Sequence, residues 1–224
     1  MIEGPDGVGK GTQTALLCER LAREGVRVSR YSFPTYDADP VAALIRAMLR
    51  EHQEDWTARP WESKALLFAA NRKRFAEELA LRFAAPGAVV VCDRYVPTNQ
   101  AHMAAIVDNE TEWQRRFDWI ARLEYELLGL PRPDIVLLHT MPESVSQRLM
   151  ARRGEKDAHE ADAEYLTRVV RCFFVLAARE PAVWRHIPAD VAGHVEPPDA
   201  VHARVWSALI AHPAFVGVTQ PAVR

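Results

Sequence analysis

Apolar and polar positions change period repeatedly along this chain, and each change marks an element. From Thr14 to Gly25 the apolar residues recur at helical spacing and stop at a glycine, the pattern of an amphipathic helix. Residues 26–33 alternate as a strand does. Helical spacing returns over residues 39–51 and 60–84, the second rich in Ala, Leu and Phe on one face. Ala88-Val89-Val90-Val91-Cys92 is a continuous apolar run closed by Asp93-Arg94, as in a strand covered on both faces, and residues 134–139 form a second such run. Further helices are predicted over about 98–107, 111–128, 143–152, 162–179 and 197–211, with a short last strand at 183–187. Strands alternating with helices predict an α/β fold, a parallel sheet with helices on both faces.

The opening residues carry the most chemistry. Gly4 and Gly9-Lys10 have the spacing G-x-x-x-x-G-K, in which backbone N–H groups turn inward around phosphate. The helix that starts near Lys10 directs its positive end at the same charge. Position 11 is Gly11 where Ser or Thr is usual, and the hydroxyl follows at Thr12. Only Met1, Ile2 and Glu3 precede Gly4, whereas a buried strand takes roughly five residues. The expectation is a truncated first strand, or a natural start roughly four to six apolar residues upstream.

Composition narrows the classes. A chain of 224 residues makes one domain, or one domain with a lid. A formal charge of −2 argues against the broad basic field of a nucleic-acid binder. No apolar run approaches a membrane span or a signal-peptide core, so no membrane partner is expected. Cys18, Cys92 and Cys172 are far apart and set among apolar residues, which reads as buried thiols in a reducing cytoplasm.

Four other segments carry candidate chemistry. Phe33-Pro34-Thr35-Tyr36 ends the second strand, where open α/β sheets bind ligands. Phe68 and Arg72 lie four apart on one helical face, a ring and a guanidinium suited to a flat heterocycle. Asp93-Arg94-Tyr95 places an acid at a strand end, able to orient Mg²⁺, beside an arginine able to clamp phosphate. The charged run from Arg148 through Arg152, Arg153 and Glu160 has the arginines that a closing lid needs. Each segment alone also fits an ordinary structural role.

Taken in order, E-G-P-D-G-V-G-K-G-T-Q, F-P-T-Y, L-L-F-A-A-N-R, D-R-Y, L-G-L-P-R-P-D and R-R-G-E-K-D-A-H-E-A-D resemble the motifs of the thymidylate kinase family over nearly the whole chain. The resemblance implies a P-loop nucleoside monophosphate kinase fold with a five-stranded parallel sheet, and usually a homodimer. It implies phosphoryl transfer from ATP to dTMP with Mg²⁺. The kinase domain would span 1–212, with the arginine-bearing lid at about 152–161 and a peripheral tail at 213–224.

The resemblance also distributes roles. Gly4, Gly7, Val8, Gly9, Lys10, Gly11, Thr12 and Arg148 would bind ATP, and Thr12 with Asp93 would hold Mg²⁺, in part through water. Asp6, Phe33, Tyr36, Phe68, Arg72, Arg94, Asn99, Gln100 and His102 would bind dTMP. Phe68 would stack on thymine, Arg72 would bond its exocyclic oxygen, and Asn99 with Gln100 would face the base edge. Lys10, Arg94, Arg152, Arg153 and Asp6 would serve the transfer. His102 stands where the family generally has Tyr or Phe near the sugar. Another nucleotide or deoxynucleoside kinase of the same fold, or a nucleotide-binding module without turnover, are the alternative readings.

Overall fold

The apolar runs become the inner strands of one sheet. The structure is a computed structural model, and it describes residues 1–35, 39–142, 145–146 and 162–215. Strands β1 (Ile2–Glu3), β2 (Arg27–Ser32), β3 (Ala88–Asp93), β4 (Val136–Thr140) and β5 (Trp184–Pro188) lie in the order β2-β3-β1-β4-β5, with every pairing parallel. Helices α1 (Lys10–Arg23), α2 (Pro40–Arg50), α3 (Gln53–Ala58), α4 (Trp61–Lys73), α5 (Ala76–Phe83), α6 (Val96–Ala104), α7 (Glu110–Ala121), α8 (Ala163–Arg179) and α9 (Pro198–Ile210) surround it. A two-stranded hairpin, β6 (Asp190–Val191) with β7 (His194–Val195), precedes α9.

Strand pleating divides the core. On β4, Val136 and Leu138 join Trp113, Phe117, Val169 and Phe173 on one face, while Leu137 joins Ile2, Leu17, Leu21 and Leu209 on the other. A third cluster around Phe33, Leu79, Tyr95 and Met103 underlies the strand ends nearest the candidate site. Phe215, from the segment expected to be peripheral, is buried and meets Trp206 edge-on.

The shortest strand of the five-stranded sheet is its central one. Ile2 pairs with Asp93 on one side and Leu137 on the other. Arg94 N donates to Ile2 O at 3.0 Å, and Leu137 N to Met1 O at 2.9 Å. The Met1 amine donates to Ile135 O at 2.6 Å, and burial lowers its pKa. An apolar cavity of about 110 Å³ lies beneath Met1, between the starts of β3 and β4.

Two predicted helices differ in detail. The helix expected over 60–84 divides into α4 and α5, because the Phe75 ring turns in to meet Tyr31 and Phe33 at centroid distances of 6.2 and 5.8 Å. The helix expected to reach 128 leaves α geometry after Ala121 and finishes as a π-helical turn, Arg122–Leu127, whose widened spiral carries the fully buried Glu124. Neither α3 nor the hairpin was expected from the pattern, and the helix expected over 143–152 falls largely outside the described residues.

Gly4 fixes how closely β1 and β4 approach. Its φ is +140°, and a Cβ there would sit 2.1 Å from the His139 carbonyl oxygen. Backbone strain of this kind costs of order 1–3 kcal/mol. Gly4→Ala should therefore lower the melting temperature by roughly 5–10 °C, read by calorimetry. An unchanged melt would show that the two strands can separate freely at this point.

Candidate active site

The phosphate loop leaves the end of β1 and turns directly into α1. Gly7 and Gly9 have φ of +81° and +86°, and Gly9 is the residue from which the helix begins. Val8 is buried and anchors the loop, whereas Gly11 and Thr12 are exposed on the first helical turn. Lys10 folds back along the loop, its Nζ donating to Pro5 O at 2.6 Å and lying 4.0 Å from Asp6 Oδ1. Burial, and then the Arg94 charge, lower the Lys10 pKa to about 8 against the pull of Asp6, Asp93 and Glu3. An anion in the loop would raise that pKa again.

Glu3 ties this loop to the next strand end. Its buried carboxylate accepts from Tyr95 N at 2.8 Å and from the Thr98 hydroxyl, fixing the start of α6. Burial raises the Glu3 pKa, opposed by these hydrogen bonds and by Arg94 and Lys10. Arg94 itself adopts φ +64° and forms an ion pair with Asp6. Asp93 Oδ2 would be 3.5 Å from a Cβ on Gly11, so the carboxylate abuts the first turn of α1. No group of three or more metal-ligating side chains occurs among the described residues. A cation beside Asp93 would take most of its oxygens from phosphate and water, the habit of Mg²⁺.

Beside the loop opens a cavity of about 250 Å³. Asp6, Asp93 and Arg94 line its charged end, and Phe33, Pro34, Leu49, Phe68 and Met103 supply apolar wall. Ser32, Thr98, Asn99, His102 and Arg72 complete it. Phe68 stands edge-on to Trp56 at 5.8 Å, leaving part of its ring exposed. His102 Nδ1 lies 2.9 Å from the Tyr165 hydroxyl. Asn71 holds the turn after β2, since Nδ2 donates to Thr35 Oγ1 and to Asp39 Oδ2, each at 2.8 Å.

Behind the cavity wall lies a buried ion pair. Arg72 Nε and Nη2 donate to Glu124 Oε2 and Oε1 at 2.5 and 2.6 Å, and Asn99 Nδ2 donates to the same Oε1 at 2.7 Å. Glu124 thus holds the Arg72 guanidinium from behind through Nε and Nη2, while Arg72 still lines the cavity. Gln100 is elsewhere: its Nε2 donates to Phe117 O at 2.9 Å, and it lines a separate cavity. Tyr36, Arg148, Arg152 and Arg153 lie outside the described residues.

Glu3, Asn71 and Glu124 were missed by sequence reasoning. Glu3 and Asn71 stood inside the quoted motifs, and a polar residue inside a motif was the available signal. Glu124 had none, because its partners are 52 and 25 residues away.

A phosphate loop and a heterocycle-sized cavity sharing Asp6 and Arg94 describe a nucleotide kinase, and comparison with known proteins specifies which. Residues 2–192 match the Thymidylate kinase family. The chain belongs to the thymidylate kinase family. It is 33% identical to the thymidylate kinase of Thermomicrobium roseum, over 92% of this chain and 91% of that one. It is 31% identical to the thymidylate kinase of Mycobacterium tuberculosis, over 88% and 97%. The fold matches the structure of Candida albicans thymidylate kinase with a TM-score of 0.67 at 21% identity, covering 93% of this chain and 88% of that one. As a thymidylate kinase family member the chain is an ATP-dependent phosphotransferase.

The Lys10 environment predicts a pH profile. The protonated amine is the form that binds phosphate, and in the free enzyme it is lost as pH rises through about 8. The kcat/KM for ATP should fall on that alkaline limb, while kcat, reporting the complex in which phosphate restores the charge, should stay flatter. Parallel limbs in both parameters would contradict this.

Proposed function

We propose that the chain transfers the γ-phosphoryl group of ATP to dTMP, forming dTDP and ADP. The observation that carries this reading is the shared wall: Asp6, Asp93 and Arg94 border both the phosphate loop and the acceptor cavity. The attacking oxygen needs no strong base, because a phosphate monoester with a second pKa of about 6 is already anionic near neutrality. The work is alignment and charge neutralisation. Lys10 would bridge the ATP phosphates, and Arg94 would exchange part of its contact with Asp6 for the dTMP phosphate. Phe68 would stack on the base. Mg²⁺, held near Asp93 and Thr12, supplies further neutralisation when bound. Arg152 and Arg153 would add positive charge at the transferring group, with Arg148 toward ATP. A homodimer working in the cytoplasm completes the proposal; no described helix is long and apolar enough to cross a membrane.

The test is ADP release with dTMP as acceptor beside a panel of other nucleoside monophosphates and deoxynucleosides. The highest kcat/KM should belong to dTMP, and a better acceptor elsewhere in the panel would replace this reading. Lys10→Ala and Arg94→Ala should each lower kcat by about 10³-fold or more, with melting curves close to the parent. Parent-like kcat in either would remove that residue from the reacting centre. The Arg152→Ala/Arg153→Ala double variant should lose kcat with the KM for ATP nearly unchanged. A raised KM alone would make these arginines binding groups only.

A further inference from the structure

We propose that Glu124 is a positioning residue that sets the hydrogen-bonding polarity of the acceptor-base site, so that it takes a pyrimidine with N–H at N3 beside a carbonyl. This rests on the acceptor being a pyrimidine nucleotide, and it adds a residue that touches no substrate. The π-helical turn carries Glu124 into the protein, where its side chain is fully buried. Both protons of the Asn99 amide nitrogen have acceptors behind the cavity, Glu124 Oε1 at 2.7 Å and Ala65 O at 3.1 Å. Turning the amide over would set its oxygen against a carboxylate and a carbonyl, both acceptors only. The orientation is therefore fixed by the network.

What remains for the ligand follows from that. Asn99 Oδ1 is buried and has no hydrogen-bond partner among the described residues, yet Asn99 lines the acceptor cavity. A buried acceptor without a donor is unfavourable, and an incoming N–H corrects it. Arg72 also lines the cavity and uses Nε and Nη2 on Glu124, leaving Nη1 without a partner among the described residues. The site thus offers an acceptor beside a donor. Thymine and uracil present the complement, N3–H flanked by C4=O. Cytosine presents the reverse, a bare N3 beside an amino group. Guanine shares the N–H and C=O pair, so the informative comparison is between pyrimidines.

The experiment measures kcat/KM for dTMP, dCMP and N3-methyl-dTMP with the unaltered protein, Glu124→Gln and Asn99→Leu. In the unaltered protein both dCMP and N3-methyl-dTMP should fall below dTMP by about 10²-fold or more, since a site built for a donor is left unpaired by either. In Glu124→Gln one acceptor oxygen becomes a donor, so Ala65 O alone still favours the original orientation of the Asn99 amide and the network no longer fixes it. The ratio of dTMP to dCMP should then drop by about tenfold or more, a change that simple loosening of the fold does not produce. Should Glu124→Gln fail to fold, Asn99→Leu leaves the ion pair intact and should cancel the difference between dTMP and N3-methyl-dTMP. An unchanged dTMP to dCMP ratio in folded Glu124→Gln, or continued rejection of N3-methyl-dTMP by Asn99→Leu, would overturn the proposal. Absence of dTMP turnover in the unaltered protein would instead overturn the reading beneath it.

Discussion

The ends of two neighbouring central strands must be held at a fixed separation, and the active-site geometry depends on that constraint. β1 supplies the phosphate loop and β3 ends at Asp93 with Arg94 just after it, the two strands joined at the Ile2–Asp93 register and by the Arg94 N to Ile2 O bond. Glu3 strengthens this short junction by accepting from Tyr95 N and the Thr98 hydroxyl, so the loop and the start of α6 move as one. On the other side, the absence of a Cβ at Gly4 lets the loop rest against the His139 carbonyl. A donor phosphate in the loop and an acceptor phosphate at Arg94 inherit that spacing.

Magnitudes explain why so much charge is buried here. An Arg–carboxylate pair taken out of water is often no more stabilising than apolar residues of the same volume, while removal of one partner costs about 3–5 kcal/mol. The Arg72–Glu124 pair is thus a poor device for stability and a good one for fixing geometry. The pair of Arg94 with Asp6 is more exposed and weaker. It can give way to a substrate phosphate. Lys10 occupies the middle position, buried enough to lower its pKa to about 8 and still a cation near neutrality, where phosphate would meet it.

Elements set by local patterning were legible in the sequence. The buried runs at 88–92 and 134–139 became β3 and β4, the glycine spacing became the loop before α1, and the family resemblance agreed with the five-stranded parallel sheet and the family match. Features set by distant contacts were not. Phe75 broke a continuous helical pattern because aromatic rings on β2 and in the turn that follows it received it. Glu124 sits in a segment that the pattern marks only as helical, and only folding brings it to Arg72 and Asn99. Gln100 shows the converse. Its neighbour Asn99 lines the acceptor cavity while Gln100, one residue on, points toward Phe117, because adjacent helical positions project about 100° apart.

The central claim is that donor and acceptor phosphates meet directly across the Asp6–Arg94 wall, with no side chain passing the phosphoryl group between them. The stereochemistry of transfer tests this most directly. With ATP made chiral at the γ-phosphorus by thiophosphate and oxygen isotope labelling, one in-line displacement onto dTMP inverts the configuration in the product. The account predicts inversion. Retention would require two displacements through a phosphorylated residue, and would contradict it.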